Sequence, residues 1–355
     1  MSAAPEVSAD EPSAARVRRT GPREIATAAG FVVVVAILAQ LPFFVTAAAT
    51  GPLVTFFVLL TMSTAWNLLA GYAGLVSIGQ QAYVGLGAYA LVQLSDWGVH
   101  PFLGVALAAV AAALFALPTS WLAFRLRGDY FAVGTWVIAD LYRLVVVRDD
   151  ALGGGSGRSL TTLAGFDPVL RQAITYWIAL GVAALSLASG HVLLRSRLGL
   201  SLMAIRDDEI AARSLGVHVV RAKRAVYLVS AAGAGAAGGV LVVSQLSVHP
   251  DAIFSVQWSA YMIFIVLIGG LGSLEGPVLG AVVFFAMQQT MAAYGAFYLV
   301  VLGAVAVAVA ALWPRGLFGW AAERFGFRPL SAGRGVTFLA SAAREEASPL
   351  PRPPS

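Results

Sequence analysis

The chain has 355 residues, of which 59% are apolar and only 12% are charged. A soluble domain carries about a quarter charged residues, so this composition excludes an ordinary soluble enzyme and indicates a protein that crosses a membrane several times. Cysteine is absent, which excludes disulfides and thiolate sites, and the net charge of +5 indicates membrane orientation rather than binding to nucleic acid.

In chain order, residues 1–24 are rich in Ala, Ser, Pro, Glu and Arg and are predicted to form a disordered cytoplasmic tail. Residues 25–320 are predicted to be the transmembrane domain, because apolar blocks of about 20 residues follow one another there. The approximate bounds of the blocks are 25–45, 52–70, 82–96, 102–124, 130–147, 173–194, 225–246, 258–290 and 296–313. Residues 321–355 are predicted to be a second disordered cytoplasmic tail. The expected fold is all-α: a polytopic bundle of about 8–10 spans with glycine-broken helices and one cytoplasmic helix.

The positive charges predict the orientation. Seven of the 23 positive residues lie in one loop: Arg195, Arg197, Arg206, Arg213, Arg221, Lys223 and Arg224. The positive-inside rule makes this loop cytoplasmic, and counting spans backwards places the N-terminus inside as well. The C-terminus is also inside if the long block 258–290 is a hairpin of two short helices, broken at "GGLGSLEGP" (269–277). We therefore expect eight full crossings and one broken hairpin.

Two apolar blocks are interrupted by closely spaced glycines, "GYAGLVSIGQQAYVGLGAY" (71–89) and "GGLGSLEGPVLGA" (269–281). Broken helices in two corresponding places are typical of a transport path, since irregular backbone at membrane depth must be buried or line a cavity. Polar residues in and near these segments, together with one acid inside a span, are the candidates for lining the path: Asn67, Ser77, Gln80, Gln81, Tyr83, Asp140, Ser273 and Glu275. Alternatively, the glycines only allow helices to pack closely.

Asp140 lies in the middle of a predicted span, where a carboxylate is costly and usually faces a partner or water. Arg143 follows three residues later, on the same face of a helix. A structural ion pair is the favoured interpretation of Asp140, ahead of a contact with substrate. Asn67 is expected to form a hydrogen bond between helices.

Motifs for covalent chemistry are missing from the sequence. The only lysine, Lys223, stands between Ala222 and Arg224, so the chain has no Walker A loop for ATP. Its four histidines are scattered and suggest no metal site. We expect a non-catalytic chain that binds no cofactor itself.

The densest charge in the chain lies in "AIRDDEIAARSLGV" (204–217). Ser201 or Asp207 is expected to cap a short helix here, and Gly216 to end it. Ala211 and Ala212 would keep one surface small, so that another protein could approach closely. These features predict a docking element, and the alternative is an ordinary solvated loop helix.

The segment "SRLGLSLMAIRDDEIAARSLGVHVVRAKRAVYLVSAAGAGAAGGVL" (196–241) resembles the signature region of ABC importer permeases of the branched-chain amino acid type, M-type subunit. Four further segments agree in the same order. They are "WNLLAGYAGLVSIGQQAYVGLGAYA" (66–90), "RLRGDYFAVGTWVIAD" (125–140), "GGLGSLEGPVLGA" (269–281) and "LWPRGLFGW" (312–320). The five collinear segments cover the chain from about residue 60 to residue 320.

The resemblance implies a half-channel in a bacterial inner membrane that pairs with a second, homologous permease. It also implies two cytoplasmic ATPases, which use ATP and Mg, and an extracytoplasmic solute-binding protein. The loop 200–217 would then couple to an ATPase. The residues implied in this coupling are Arg206, Asp208, Glu209, Ala211, Ala212 and Gly216.

Some positions depart from the family pattern, among them "GQQAY" in place of a Gly-His pattern and Asp140 in place of Glu. The expected function is import of branched-chain amino acids. One alternative is a permease of the same type for urea or short amides. Another is a lone ion-coupled carrier with Asp140 and Glu275 as its coupling acids. A lone carrier would need no ATPase-docking helix.

Overall fold

The computed structural model describes residues 16–17, 22–45, 47–291, 294–295, 297–313, 315–325 and 336–337. The chain forms two compact units, one of residues 33–331 and the other of residues 1–32 with 332–355. In the second unit, strand β1 (Arg16–Val17) pairs antiparallel with strand β4 (Val336–Thr337). The predicted disordered tails fall mostly outside the described residues and stay a prediction.

The described residues of the chain form fourteen α-helices. They are α1 (Pro22–Phe44), α2 (Ala47–Asn67), α3 (Gln81–Asp96), α4 (Pro101–Ala123), α5 (Asp129–Arg148), α6 (Pro168–Arg195), α7 (Arg197–Asp207), α8 (Glu209–Ser214), α9 (Val219–Gln245), α10 (Pro250–Ile253), α11 (Val256–Gly269), α12 (Gly276–Met291), α13 (Phe297–Leu312) and α14 (Gly316–Phe325). A π-helical turn, Leu68–Tyr72, continues α2, and single 3₁₀ turns lie at Asp150–Leu152, Gly154–Ser156 and Thr161–Leu163. The expected all-α fold is confirmed.

Seven helical segments among the described residues are long and apolar enough to cross a bilayer, or eight if the bent pair α13 and α14 forms one span. The block 258–290 is indeed a hairpin of two helices, α11 and α12. Six of the eight expected full crossings are among these seven segments, because α3 and α13 have only 16 residues each. At 1.5 Å per residue such a helix is about 24 Å long, less than a hydrocarbon core of about 30 Å. The seventh segment is Pro250–Gly269, which comprises α10 and α11 and so makes one arm of the hairpin long enough to cross.

The core is built around α2 and α9. In the apolar windows of these segments 83% and 78% of the residues are buried, compared with 28% in α5. Small residues let α9 approach its neighbours closely, since a Cβ on Gly87 of α3 would overlap the backbone of Gly235, and one on Gly235 would overlap Ala112 of α4. The apolar faces of α4 and α5 remain exposed, as lipid-facing or subunit-facing helices require.

The loop between α5 and α6 is tied to the loop between α9 and α10. Strand β2 (Arg158–Ser159) pairs antiparallel with strand β3 (Ser247–Val248). Arg158 also forms an ion pair of 2.5 Å with Asp96 at the end of α3. Asp96 thus neutralises the positive charge of Arg158 in a loop that the orientation predicted from the sequence places outside.

Candidate functional site

The charged loop folds into α7 and the six-residue helix α8, which we call the docking helix (Glu209–Ser214). Asp208 caps it: the Oδ1 atom accepts the N–H groups of Ile210 at 2.8 Å and Ala211 at 3.0 Å. The expected caps were wrong, because Ser201 lies inside α7 and Asp207 is the last residue of α7. Asp208 is the residue with extended backbone between the two helices, which is the conformation that an N-cap needs.

Gly216 ends the docking helix, as expected. Its φ of 82° is in the left-handed region that favours glycine. The N–H of Val217 bonds to the carbonyl of Ala212 at 3.1 Å, and the N–H of Gly216 bonds to that of Arg213 at 3.0 Å. This pair of bonds is a Schellman motif, which satisfies carbonyls that a helix end leaves free.

The docking helix turns apolar side chains outwards. Ile210 is 80% exposed and Leu215, which follows the helix, is 82% exposed. The expectation that two alanines share one outer surface was wrong, because Ala211 is exposed while Ala212 is buried against the chain's own core. Successive residues of a helix point about 100° apart, and the orientation of this helix places Ala211 outwards and Ala212 inwards.

Glu209 anchors the docking helix to α9. Its carboxylate pairs with Lys223 at 2.5 Å and with Arg213 at 3.1 Å. The bond from the Lys223 ammonium lowers the pKa of Glu209 below its ordinary value, so the carboxylate stays charged at neutral pH. Glu209 is therefore held at the first position of the docking helix by residues of the same chain.

Arg206 points away from the docking helix. From the last turn of α7 its Nη1 donates to the carbonyl of Gly71 at 2.5 Å. The same nitrogen would lie 2.9 Å from a Cβ placed on Gly272. Arg206 therefore lies where the two glycine-interrupted segments meet.

The first of these segments, which we call the first break, consists of the π-helical turn Leu68–Tyr72, the helical residue Ala73 and the non-helical residues 74–80. Asn67, directly before it, donates to the carbonyl of Ser273 at 2.8 Å and accepts the N–H of Gly272 at 2.9 Å. Asn67 was expected to bond to another helix, but its partner is the non-helical backbone of the second glycine segment, between α11 and α12.

Gly71 makes this contact possible. A Cβ at this position would lie 2.6 Å from the backbone nitrogen of Gly272 and closer still to the side-chain oxygen of Asn67. Backbone atoms cannot move aside as a side chain can. The two glycine segments approach this closely because Gly71 has no side chain.

The second break, residues 270–275, connects α11 to α12. Gly270 and Gly272 have φ values of 128° and 78°, which favour glycine. The Ser273 hydroxyl donates to the carbonyl of Gly270 at 3.0 Å and accepts the N–H of Gly276 at 3.1 Å, so it caps the start of α12. The half-buried Glu275 interacts electrostatically with Tyr72 of the first break.

Three polar residues of the first break and the start of α3, namely Ser77, Gln80 and Gln81, are buried inside the subunit. Ser77 donates to the hydroxyl of Thr135 at 3.1 Å, and the side-chain oxygen of Gln81 accepts the hydroxyl of Ser259. Gln80 is 1% exposed, and neither of its amide atoms has a hydrogen-bond partner among the described residues.

Tyr83 of α3 is also buried and donates to the hydroxyl of Tyr227 in α9 at 2.7 Å. The structure thus joins Asn67, Ser77, Gln81 and Tyr83 to partners within the same chain. A role for these residues in lining the path stays a prediction.

Asp140 forms the ion pair expected from its spacing, with Arg143 at 2.8 Å. Sequence reasoning missed a second acid, Asp251, which bonds to the same guanidinium at 2.9 Å. Asp251 lies 108 residues further on, beyond the reach of a helix-spacing argument.

A cavity of about 1000 Å³ separates the docking helix from the first break. Its walls also include the loop between α4 and α5. The charged residues that line it are Arg127, Asp129, Arg206, Glu209, Arg213 and Lys223. The docking helix thus has open space on the side of the first break, and Arg206 lies in the wall of that space.

Known proteins are similar to this chain over most of the helices described above. The family model for the permease component of branched-chain amino acid transport systems matches residues 48–310. Two curated relatives are the high-affinity branched-chain amino acid transport system permease proteins LivM of Escherichia coli and Salmonella typhimurium. Each is 30% identical, with 71% of this chain and 65% of the relative covered.

A probable branched-chain amino acid transport permease protein LivM of Methanocaldococcus jannaschii is 22% identical, with 66% of this chain and 78% of the relative covered. The chain spans about 65% of the length of the two bacterial relatives. No solved structure matches it. The family match includes both breaks, α7 and the docking helix.

Proposed function

The chain belongs to the family of permease components of branched-chain amino acid transport systems, and from this premise we propose that it is the membrane subunit of an ATP-driven importer of branched-chain amino acids. The resemblance seen in five collinear segments is thereby confirmed at the level of the family. With its apolar helices, the chain is a multi-pass membrane protein.

The docking helix is the observation that carries the proposal. A helix of six residues is not stable alone in water, because its nucleation costs more than a few hydrogen bonds return. Here a side-chain cap, a Schellman motif and the Glu209–Lys223 pair hold it in place. Together they present Ile210 and Leu215 outside any apolar span. An element with this construction suits insertion into a cleft of a partner protein.

In the proposed assembly the partner at the docking helix is a cytoplasmic ATPase, and a second copy serves a homologous second permease. ATP and Mg act in the ATPases, and this chain itself catalyses no reaction and binds no cofactor. An extracytoplasmic solute-binding protein delivers the amino acid. The chain resides in a bacterial inner membrane with both termini in the cytoplasm, as the seven positive residues between Arg195 and Arg224 support.

The lone-carrier alternative would use Asp140 and Glu275 as coupling acids. The bond of Asp140 to Arg143, which also binds Asp251, supports a structural role for Asp140 instead. The following experiment also tests the alternative that urea or short amides are the substrate.

The test is uptake into vesicles that contain the chain, the second permease and the two ATPases, with the binding protein outside. We expect labelled leucine to accumulate only when ATP is present on the side of the ATPases. Glu209→Lys should reduce the accumulation at least about tenfold, because it places like charges at Lys223 and Arg213; a tenfold change corresponds to about 1.4 kcal/mol.

Asp207→Lys is the matched control, since it makes the same charge change two residues away in α7, and its accumulation should stay within about twofold of the original, or about 0.4 kcal/mol. Accumulation of urea but not leucine would replace the substrate class. Accumulation by the chain alone, without ATP, would overturn the proposal.

A further inference from the structure

The structure assigns to Arg206 a role separate from docking: we infer that it is the positioning residue that transmits movement of the docking helix to both breaks. This inference rests on the proposed function, since it requires an ATPase to move the docking helix. Three observations carry it, and each concerns a different link between the docking helix and the membrane core.

The first link is Asp208, which makes α7 and the docking helix one mechanical unit. Its N–H bonds back to the carbonyl of Ala204 in α7, and its carbonyl accepts the N–H of Ala212 in the docking helix, both at 3.0 Å. No flexible linker separates the two helices. A displacement of the docking helix must therefore displace the end of α7, where Arg206 lies two residues before the cap.

The second link is the bond from Arg206 to the carbonyl of Gly71 at 2.5 Å. This carbonyl lies near the end of the helical run formed by α2 and its π-helical turn, where a helix leaves carbonyls without an internal partner. A cation is also favoured at the negative end of the helix dipole. The guanidinium therefore binds a site that the fold leaves open and that favours its charge.

The third link joins the breaks to each other. Asn67 holds the backbone of Gly272 and Ser273 with two hydrogen bonds, and the absence of a side chain at Gly71 lets Gly272 approach. Nη1 of Arg206 lies beside Gly272 as well as Gly71. A movement of Arg206 thus reaches the ends of α2, α11 and α12 at one point.

Arg213 and Arg221 of the same loop do not share this position. Arg213 is 63% exposed at its side chain and pairs with Glu209, and Arg221 is exposed at the start of α9. Arg206 differs because its guanidinium bonds to a break. It therefore transmits movement inwards, while the outward residues of the docking helix meet the partner.

The experiment uses the complete reconstituted assembly and compares Arg206→Gln, Arg206→Lys and the control Arg221→Gln. We expect Arg206→Gln to keep ATP hydrolysis and ATPase binding within about twofold, and to lower the amino acid transported per ATP about tenfold. Arg206→Lys has a shorter side chain with a single donor group, so its amino acid transported per ATP should lie between the values of Arg206→Gln and the original protein. Arg221→Gln should match the original protein.

A distance measurement separates transmission from a merely structural effect. Because the chain has no cysteine, Ser214→Cys and Leu271→Cys create its only two label sites, on the docking helix and in the second break. With Arg206 present the distance between the labels should stay constant between the nucleotide-free and ATP-bound states. With Arg206→Gln it should change on ATP binding, because the docking helix then moves without the break.

A parallel loss of ATPase binding and uptake in Arg206→Gln would place Arg206 on the docking surface and overturn the inference, as would unchanged transport per ATP. A nucleotide-dependent distance in the original protein would also overturn it. If the original assembly shows no ATP-driven uptake, the proposed function itself fails, which is a distinct result.

Discussion

In and beside the docking helix, Ile210 and Leu215 are 80% and 82% exposed, whereas Ser77 and Gln81 of the first break and α3 are 0% and 1% exposed. Both regions reverse the usual rule that apolar side chains lie inside and polar ones outside. The two regions differ in whether the chain itself offsets the cost of this reversal. Ser77 and Gln81 each have a hydrogen-bond partner in the same chain, while the apolar side chains of the docking region remain exposed to solvent.

A buried polar group costs free energy unless it is bonded. Ser77 and Gln81 find their partners inside the chain, although the neighbouring Gln80 does not among the described residues. An exposed apolar pair on a rigid, capped helix is favourable only once another surface covers it. Ser77 and Gln81 therefore pack within the subunit, whereas the exposed apolar side chains of the docking region support the proposed contact with another protein.

The largest effect is expected from Gly71→Ala, which disrupts the close contact between the two breaks. The added methyl would overlap the Gly272 backbone, and overpacking of this kind costs about 1–3 kcal/mol or more. We expect a clear fall in the melting temperature of the purified protein, measured by the loss of monodisperse protein on heating. The contact between the breaks should be lost with it.

Gly181→Ala is the matched control, because a Cβ at this position in α6 meets nothing within 4 Å. Its melting temperature should be unchanged or slightly higher, since alanine favours a helix over glycine by up to about 1 kcal/mol. Equal melting temperatures for the two variants would show that the breaks do not depend on the close approach at Gly71.

A smaller effect is expected from Asp208→Ala, which frays the docking helix without touching the breaks. Loss of an N-cap costs about 1 kcal/mol, and most of this cost should appear locally, as faster amide hydrogen exchange at residues 210–214. Asp208→Asn keeps a capping oxygen and should preserve slow exchange. Fast exchange in the Asn variant as well would mean that the charge, not the cap, holds the helix.

Much of the architecture followed from the sequence, because its signals are local. The 20-residue apolar blocks gave the main spans, the glycines at 269–277 gave the α11–α12 hairpin, and Gly216 gave the end of the docking helix. The spacing of Asp140 and Arg143 likewise predicted their bond. Each of these inferences joins residues within one helix or one turn.

Most of the missed features depend on contacts between distant parts of the chain. Arg206 and Gly71 are 135 residues apart, and no periodicity relates them. Ala212 is buried by the fold of the chain, which an isolated loop sequence does not encode. The Asp208 cap is a local feature, missed because the sequence places two aspartates side by side at the boundary between the two helices. Tertiary packing therefore decided the other details of the site.

The central claim, that the docking helix is completed by a separate ATPase, is tested most directly by binding. The double variant Ile210→Asp, Leu215→Asp is compared with Leu200→Asp, which changes a 46% exposed leucine of α7. Burial of one such side chain contributes about 1.5–3 kcal/mol, so the double variant should bind the purified ATPase about 100-fold more weakly or worse, while Leu200→Asp binds normally. Equal affinity for the double variant and the original protein would contradict the account.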